Sequence, residues 1–127
     1  LCTGVARADT PADALKAIAE AAAALANDDA YGFLDQFDRD MPGYATLRAE
    51  VEGLLNISNV GSTVDVIAND GDYRKRTLEL DWVLVISAKN AATGGKETRR
   101  SVVKCRVERT RKAWKITGFD PIEFFRR

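Results

Sequence analysis

The sequence predicts an α+β domain in which three N-terminal helices pack on a curved, four-strand antiparallel meander. Up to about Asn56 the apolar residues recur at helical spacing, and beyond it they alternate with period two. Turn signals that contain glycine lie on both sides of residues 77–87, which form a long, half-buried run. Helices followed by strands, rather than interleaved with them, are typical of α+β folds.

Length and charge limit the classes of protein that fit the sequence. A chain of 127 residues with 46% hydrophobic residues supports one domain with one core. Its 19 basic and 19 acidic residues cancel, so no overall field points to nucleic acid or to a membrane surface. Residues 9–127 are therefore interpreted as a single domain.

The first eight residues are interpreted as the remnant of a signal peptide. Ala6 and Ala8 supply the small residues of an A-x-A cleavage site just before Asp9. The alternative is a disordered terminus rich in small residues. The first interpretation predicts export to the periplasm, and the second leaves the protein in the cytoplasm.

Three apolar stripes define the predicted helices, and alternation defines the predicted faces of the sheet. The inward residues are Leu15, Ile18, Ala22 and Leu25 in the first helix, Ala30, Phe33, Leu34 and Phe37 in the second, and Leu47, Val51, Leu54 and Leu55 in the third. The inner face of the sheet is predicted to carry Val64, Val66, Ala68, Leu78, Leu80, Trp82, Leu84, Val103, Cys105, Val107, Trp114 and Ile116. The outer face is predicted to carry Glu79, Asp81, Val83, Val85, Val102, Lys104, Arg106, Lys115 and Phe119.

Two connections fix the predicted strand pairing. Residues 69–72 read as a hairpin turn, and residues 90–95 as a looser one. Pairing across the second turn sets Asp81 opposite Lys104 and Glu79 opposite Arg106. This register predicts a ladder of opposite charges on the outer face.

The order of these elements, together with the closing aromatic residues, resembles the nuclear transport factor 2-like superfamily. Members of this superfamily share a cone-shaped, cystatin-like fold with ketosteroid isomerases and polyketide cyclases, and often end in a Trp-x-Ile strand followed by aromatics, as Trp114, Ile116 and residues 124–125 do here. Residues 33–38 and 41–44 are similar to a bacterial exported branch without an assigned function. The resemblance implies a cavity between the concave sheet face and the helices, where isomerases use an acidic base with tyrosine or acid donors. The early hairpin strand usual in the family is not evident between the second and third helices.

Six residues are the predicted lining of a ligand pocket: Tyr31, Phe37, Tyr44, Trp82, Cys105 and Trp114. Core packing is the alternative for the two tryptophans, because the same side chains serve both purposes. Cys105 is interpreted as an inert small hydrophobe, since the chain has no histidine to activate a thiol. Asp35 and Asp38 either lie at the mouth of the cavity beside a tyrosine or belong to the solvent-exposed face of an amphipathic helix.

No catalytic residue is predicted. The inner face carries no carboxylate, and alternation places Asp81 on the opposite face from Trp82. No metal or cofactor is predicted either, because histidine is missing and Cys2 and Cys105 form no metal-spaced cluster.

Three functions stay open from the sequence. The first is a non-catalytic binding or accessory domain for a small apolar ligand, and the second is an isomerase or cyclase. The third is an interaction module that forms a weak homodimer through the outer sheet face. If this face does not associate, the protein is predicted to be a monomer. Nucleic acid is not a predicted partner, because the basic residues between 99 and 112 lack interleaved aromatics. No run reaches the length of a membrane span.

Overall fold

The computed structural model describes residues 10–90, 95–110 and 113–126. The helices are α1 (Thr10–Ala26), α2 (Ala30–Leu34) and α3 (Tyr44–Ile57). The strands are β1 (Ser58–Gly71), β2 (Lys75–Ala88), β3 (Lys96–Thr110) and β4 (Ala113–Asp120), and a short 3-10 helix follows at Ile122–Phe125. The predicted signal remnant, residues 1–8, lies outside the described residues, as does most of the predicted turn at residues 90–95.

The four strands form one antiparallel sheet in the order β1-β2-β3-β4, which confirms the predicted meander. The helices cover one face of this sheet, with α1 packed mainly on β1 and α2. In α3, the four residues predicted to face inward are the buried ones. The α+β class and the order of the layers are therefore as predicted.

A cluster of aromatic side chains fills the space between the concave sheet face and the helices. Trp82 is fully buried at its centre, with ring centroids of Phe119 and Phe125 5.8 and 5.7 Å away. The cluster also contains Phe33, Phe37 and Phe124. The indole Nε1 of Trp82 donates to Ser62 Oγ at 2.8 Å, so its polar group is satisfied within the protein.

The prediction that Phe119 lies on the outer face is wrong, because β4 contains a bulge. Ile116 pairs with Val107 and Gly118 with Arg106, which leaves Thr117 as an extra residue in β4. The bulge reverses the alternation, so Phe119 faces inward opposite Cys105 and is buried.

The predicted inner face of β1 is also wrong at its far end. A bulge between Val66 and Ala68 places Ala68 opposite the outer-face residue Glu79. Val66 keeps its inward pairing opposite Leu80 but lies on the edge strand and is 47% exposed. The helices therefore do not cover this end of β1.

The turn between β1 and β2 lies three residues later than predicted. The chain reverses at residues 72–75, where the Asp72 carboxylate accepts hydrogen bonds from the backbone N–H groups of Arg74 and Lys75. At Gly71 the φ angle is 140°, and a Cβ there would lie 2.2 Å from the Lys75 carbonyl oxygen. Only glycine fits this position without a backbone shift.

The predicted register between β2 and β3 is wrong by two residues. Asp81 pairs with Val102, and Glu79 pairs with Lys104. A shift by two residues keeps every side chain on its face, so hydrophobic alternation alone does not distinguish the two registers. The predicted ladder of Asp81 with Lys104 and Glu79 with Arg106 is therefore replaced by a different set of charge contacts.

The aromatic cluster generates a stability prediction. We expect Phe125→Ala to lower the free energy of unfolding by about 3–5 kcal/mol, because it leaves a cavity beside Trp82. The control is Tyr73→Ala at the β1–β2 turn, where Tyr73 is exposed and the expected change is within about 0.5 kcal/mol. Urea unfolding followed by far-UV circular dichroism measures both, and equal losses in the two variants would contradict a central role for the cluster.

Candidate functional site

The segment after α2 is held against the edge of the sheet. Phe37 forms a single parallel bridge with Ile116 of β4. The Ile116 N–H donates to the Gln36 carbonyl at 2.8 Å, and the Asp38 N–H donates to the Ile116 carbonyl at 2.9 Å. This bridge fixes the position of the loop that leads into α3, and it lies where the family's early hairpin strand was not evident in the sequence.

A cleft opens between α2, this loop, α3 and the adjoining ends of β3 and β4. It has a volume of about 740 Å³, and we call it the tyrosine cleft. Its lining residues are Ala30, Tyr31, Leu34, Asp35, Phe37, Asp38, Arg39, Tyr44, Arg48, Glu52, Thr110 and Lys115. An apolar floor with two phenols and a charged rim is typical of a small-molecule site.

Several charged groups around the tyrosine cleft already have partners. Arg48 Nε lies 3.2 Å from Glu52 Oε2, and the Lys115 ammonium donates to the Asp35 carbonyl oxygen. Asp38 Oδ1 accepts a hydrogen bond from the Asp40 N–H at 2.8 Å. Three cationic and three anionic side chains line the cleft, so their formal charges cancel.

A second cleft of about 470 Å³ lies beside the first, and we call it the tryptophan cleft. The half-buried Trp114 lines it together with residues of α1 and of the α2–α3 loop. Its lining residues are Asp13, Lys16, Ala17, Glu20, Asp35, Gln36, Arg109, Ala113, Trp114 and Lys115.

The structure separates the six predicted pocket residues into three places. Tyr31, Phe37 and Tyr44 line the tyrosine cleft, and Trp114 lines the tryptophan cleft. Trp82 and Cys105 lie in the packed core and line neither cleft.

Burial also settles the chemistry available to Cys105. Desolvation raises the pKa of its thiol far above the usual value, so the thiol stays protonated. A protonated thiol is a poor nucleophile.

Sequence reasoning missed part of the rim of the tyrosine cleft. Arg48 and Glu52 follow Tyr44 at intervals of four residues, which places all three on one face of α3. This spacing is visible in the sequence, and it predicts that the three side chains lie together. Arg39, Thr110 and Lys115 come from separate elements, and no local pattern joins them.

Asp81 lies on the outer sheet face, as the alternation predicts. Its carboxylate accepts two hydrogen bonds from Arg100, at 2.9 Å from Nε and 2.6 Å from NH2. These hydrogen bonds from the guanidinium lower the pKa of Asp81. Asp65 pairs with Asp81 across the β1–β2 ladder, so Arg100 also offsets a like-charge pair.

Residues 10–90, 95–110 and 113–126 contain neither a group of metal ligands nor a membrane-spanning helix. Across these ranges, no three Cys, Asp or Glu side chains come together in a group that could hold a metal ion. None of the helices in the same ranges is long and apolar enough to cross a membrane.

Comparison with solved structures places this arrangement in a known fold. No protein-family model matches the chain, and no curated protein matches it in sequence. A type 2 hexachlorocyclohexane dehydrochlorinase aligns with a TM-score of 0.72 and 10% identity, over 91% of this chain and 86% of that one. A nuclear transport factor 2-like superfamily protein from Salmonella enterica aligns with a TM-score of 0.68 and 10% identity, over 88% and 89% of the two chains. A protein of unknown function with a cystatin-like fold from Nostoc punctiforme gives a TM-score of 0.58 and 18% identity, over 86% and 90%.

The chain therefore has the nuclear transport factor 2-like fold. The structures that share it include an enzyme and a protein of unknown function, so the fold is compatible with ligand binding but does not determine the activity.

The Asp81–Arg100 pair generates a pH-dependent prediction. A lowered pKa in the folded state stabilises the protein above the unfolded value of about 4, and this contribution is lost as the pH falls through the folded pKa. We therefore expect Asp81→Asn to lower the melting temperature by no more than a few degrees at pH 7, and the deficit to vanish in acid. Thermal melts between pH 7 and pH 2 measure this, with Asp65→Asn as a control that removes like-charge repulsion. A deficit of Asp81→Asn that persists in acid would contradict the electrostatic origin.

Proposed function

We propose that the protein is a non-catalytic binding domain that holds a small, largely apolar ligand in the tyrosine cleft. The observation that carries this proposal is the convergence of Tyr31, Phe37 and Tyr44 on one cleft of about 740 Å³. Ligand sites for small molecules usually have volumes of about 300–1,000 Å³.

The lining of the cleft supports an apolar ligand with a few polar substituents. Leu34 and Phe37 give an apolar floor, and burying about 100 Å² of apolar ligand surface there contributes about 2.5 kcal/mol. The phenol groups of Tyr31 and Tyr44 both donate and accept hydrogen bonds, so they orient a hydroxyl or carbonyl group. The balanced charges of the rim favour a ligand without a large net charge.

The interior of the cone supports binding rather than catalysis. Aromatic side chains occupy the space between the concave face and the helices, and Asp81 points away from that space toward Arg100. Proton transfer needs an acid or base placed within hydrogen-bonding reach of the substrate. Among the described residues, the inner face of the sheet presents no buried carboxylate for that role.

An isomerase or cyclase activity is the second candidate, and a specific arrangement favours it. Asp35 and Asp38 line the same cleft as Tyr31 and Tyr44. The resemblance implies that isomerases of this fold combine an acidic base with tyrosine donors. In that case the chemistry would take place in the tyrosine cleft rather than inside the cone.

Binding to the tyrosine cleft is tested with the neutral fluorescent probe N-phenyl-1-naphthylamine. We expect Tyr31→Ala to weaken probe affinity roughly fivefold, the scale of one lost aromatic contact. Tyr31 is 77% exposed, so the substitution leaves the fold intact. The matched control is Tyr73→Ala, an exposed tyrosine that lines neither cleft, and it should bind as the wild type does.

Two results of this titration would count against the binding proposal. One is a wild-type protein that gives no saturable fluorescence change, and the other is equal weakening in both tyrosine variants. Asp38→Asn distinguishes an isomerase or cyclase from a non-catalytic binding domain. If the protein is an enzyme, this variant should lose turnover of ring ketones while its affinity for the probe stays unchanged.

Homodimer formation through the outer sheet face is the third candidate, and exposed valines favour it. Val85 is 39% and Val102 51% exposed on this face. On this face, β1 carries Asp65, and β2 carries Glu79 and Asp81. The neighbouring β3 carries the basic residues Arg100, Lys104 and Arg106. A two-fold axis parallel to the strands would place β3 of each copy over β2 of the other, so that opposite charges meet.

We expect a weak dimer that dissociates on dilution, and we expect Val102→Glu to abolish it. Sedimentation velocity over a series of protein concentrations measures both effects. The control is Val66→Glu, which adds the same charge at an exposed valine on the other face. A wild-type monomer at every concentration, or a dimer that survives Val102→Glu, would exclude this interface.

A further inference from the structure

The tyrosine cleft and the tryptophan cleft adjoin each other. Both are lined by Asp35 and Lys115. The Lys115 ammonium donates to the Asp35 carbonyl oxygen, so this contact stands where the two clefts meet. A ligand that is longer than one cleft can place one end in each.

The tryptophan cleft has a different chemistry from its neighbour. Charged side chains of both signs surround the half-buried Trp114, namely Asp13, Glu20 and Asp35 with carboxylates, and Lys16, Arg109 and Lys115 with cations. The four salt bridges found between described residues involve none of these six side chains. None of the six therefore forms a salt bridge with another described residue, and their formal charges sum to zero.

We propose, resting on the proposed function, that the ligand is an amphipathic molecule with a zwitterionic head group. Its apolar part lies in the tyrosine cleft, and its head group lies against Trp114. The cationic part of such a head is attracted to the face of the indole and to the carboxylates of Asp13 and Glu20. The anionic part, a phosphate or a carboxylate, accepts hydrogen bonds from Arg109 and Lys16.

The equal numbers of cationic and anionic side chains in the tryptophan cleft favour a zwitterionic head group over an anionic, cationic or neutral one. A purely anionic head would meet the three carboxylates, and a purely cationic head would meet the three cations, each with a cost from like charges. A neutral hydroxylated head would avoid repulsion but would gain no ionic attraction from the charged side chains. A head that carries both charges fits both sets of side chains.

Isothermal titration calorimetry on the full chain tests the head-group inference with decylphosphocholine and decyl maltoside. The two amphiphiles share one alkyl chain, and each is kept below its critical micelle concentration. We expect decylphosphocholine to bind roughly tenfold more tightly. Trp114→Leu should remove this preference, whereas Trp114→Phe should retain most of it.

Two further variants keep the inference testable if Trp114→Leu does not fold. Arg109→Ala and Asp13→Asn change exposed side chains of the tryptophan cleft, and each should reduce the preference. Tyr73→Leu, outside both clefts, is the control that should not. Equal affinity for the two amphiphiles, or a preference that survives these substitutions, would overturn the zwitterionic head group and leave the tyrosine cleft as a binding site. Failure of both amphiphiles and of N-phenyl-1-naphthylamine to bind would overturn the proposed function as well.

Discussion

The packing of phenylalanines around Trp82 is the interaction on which the rest of this structure depends. The C-terminal 3-10 helix folds back so that Phe124 and Phe125 enter the space between the sheet and the helices. Arg99 of β3 holds this turn by donating to the carbonyl oxygens of Phe124 and Arg126, the former at 2.8 Å. The indole N–H of Trp82 is already bound by Ser62, so the cluster needs neither water nor a ligand to satisfy it.

Filling the cone moves the available binding volume to the periphery. The tyrosine cleft and the tryptophan cleft both lie along the edge of β4, where the bridge between Phe37 and Ile116 holds the α2–α3 loop close to the sheet. The interior aromatics and the peripheral clefts thus have separate roles. Phe37 belongs to both, because its ring packs against Phe33 and it also lines the floor of the tyrosine cleft.

The parts of the fold that could be predicted were those that burial alone decides. The inward face of α3, the meander and the burial of Trp82 follow from periodicity, because a misplaced apolar stripe would be exposed to water. The β2–β3 register could not be predicted, since a shift by two residues exposes nothing new. The bulges in β1 and β4 could not be predicted either, because a bulge reverses the alternation from which faces are assigned.

The lining of the tyrosine cleft could be predicted only in part, because some of its residues are brought together by tertiary contacts that leave no local pattern. Tyr31, Phe37 and Tyr44 come from one continuous region of the chain, and they were found together. Lys115 and Thr110 join the same cleft from strands some 70 residues later, through a loop-to-edge bridge that leaves no local pattern. Contacts of this kind depend on the closure of long loops and are set by the tertiary fold.

The extra residue at Thr117 gives β4 a change of phase partway along its length. Before it, buried and exposed positions follow one order, and after it they follow the opposite order, so that Ile116 and Phe119 both face the core although they are three positions apart. At Gly118, a Cβ would lie 3.3 Å from the Cβ of Arg106, a tight contact that would require this neighbour to shift slightly. A combinatorial library of this strand written with uniform alternation would put polar residues at position 119, among the aromatic rings. Such a library must instead reset its polar and apolar pattern at the bulge.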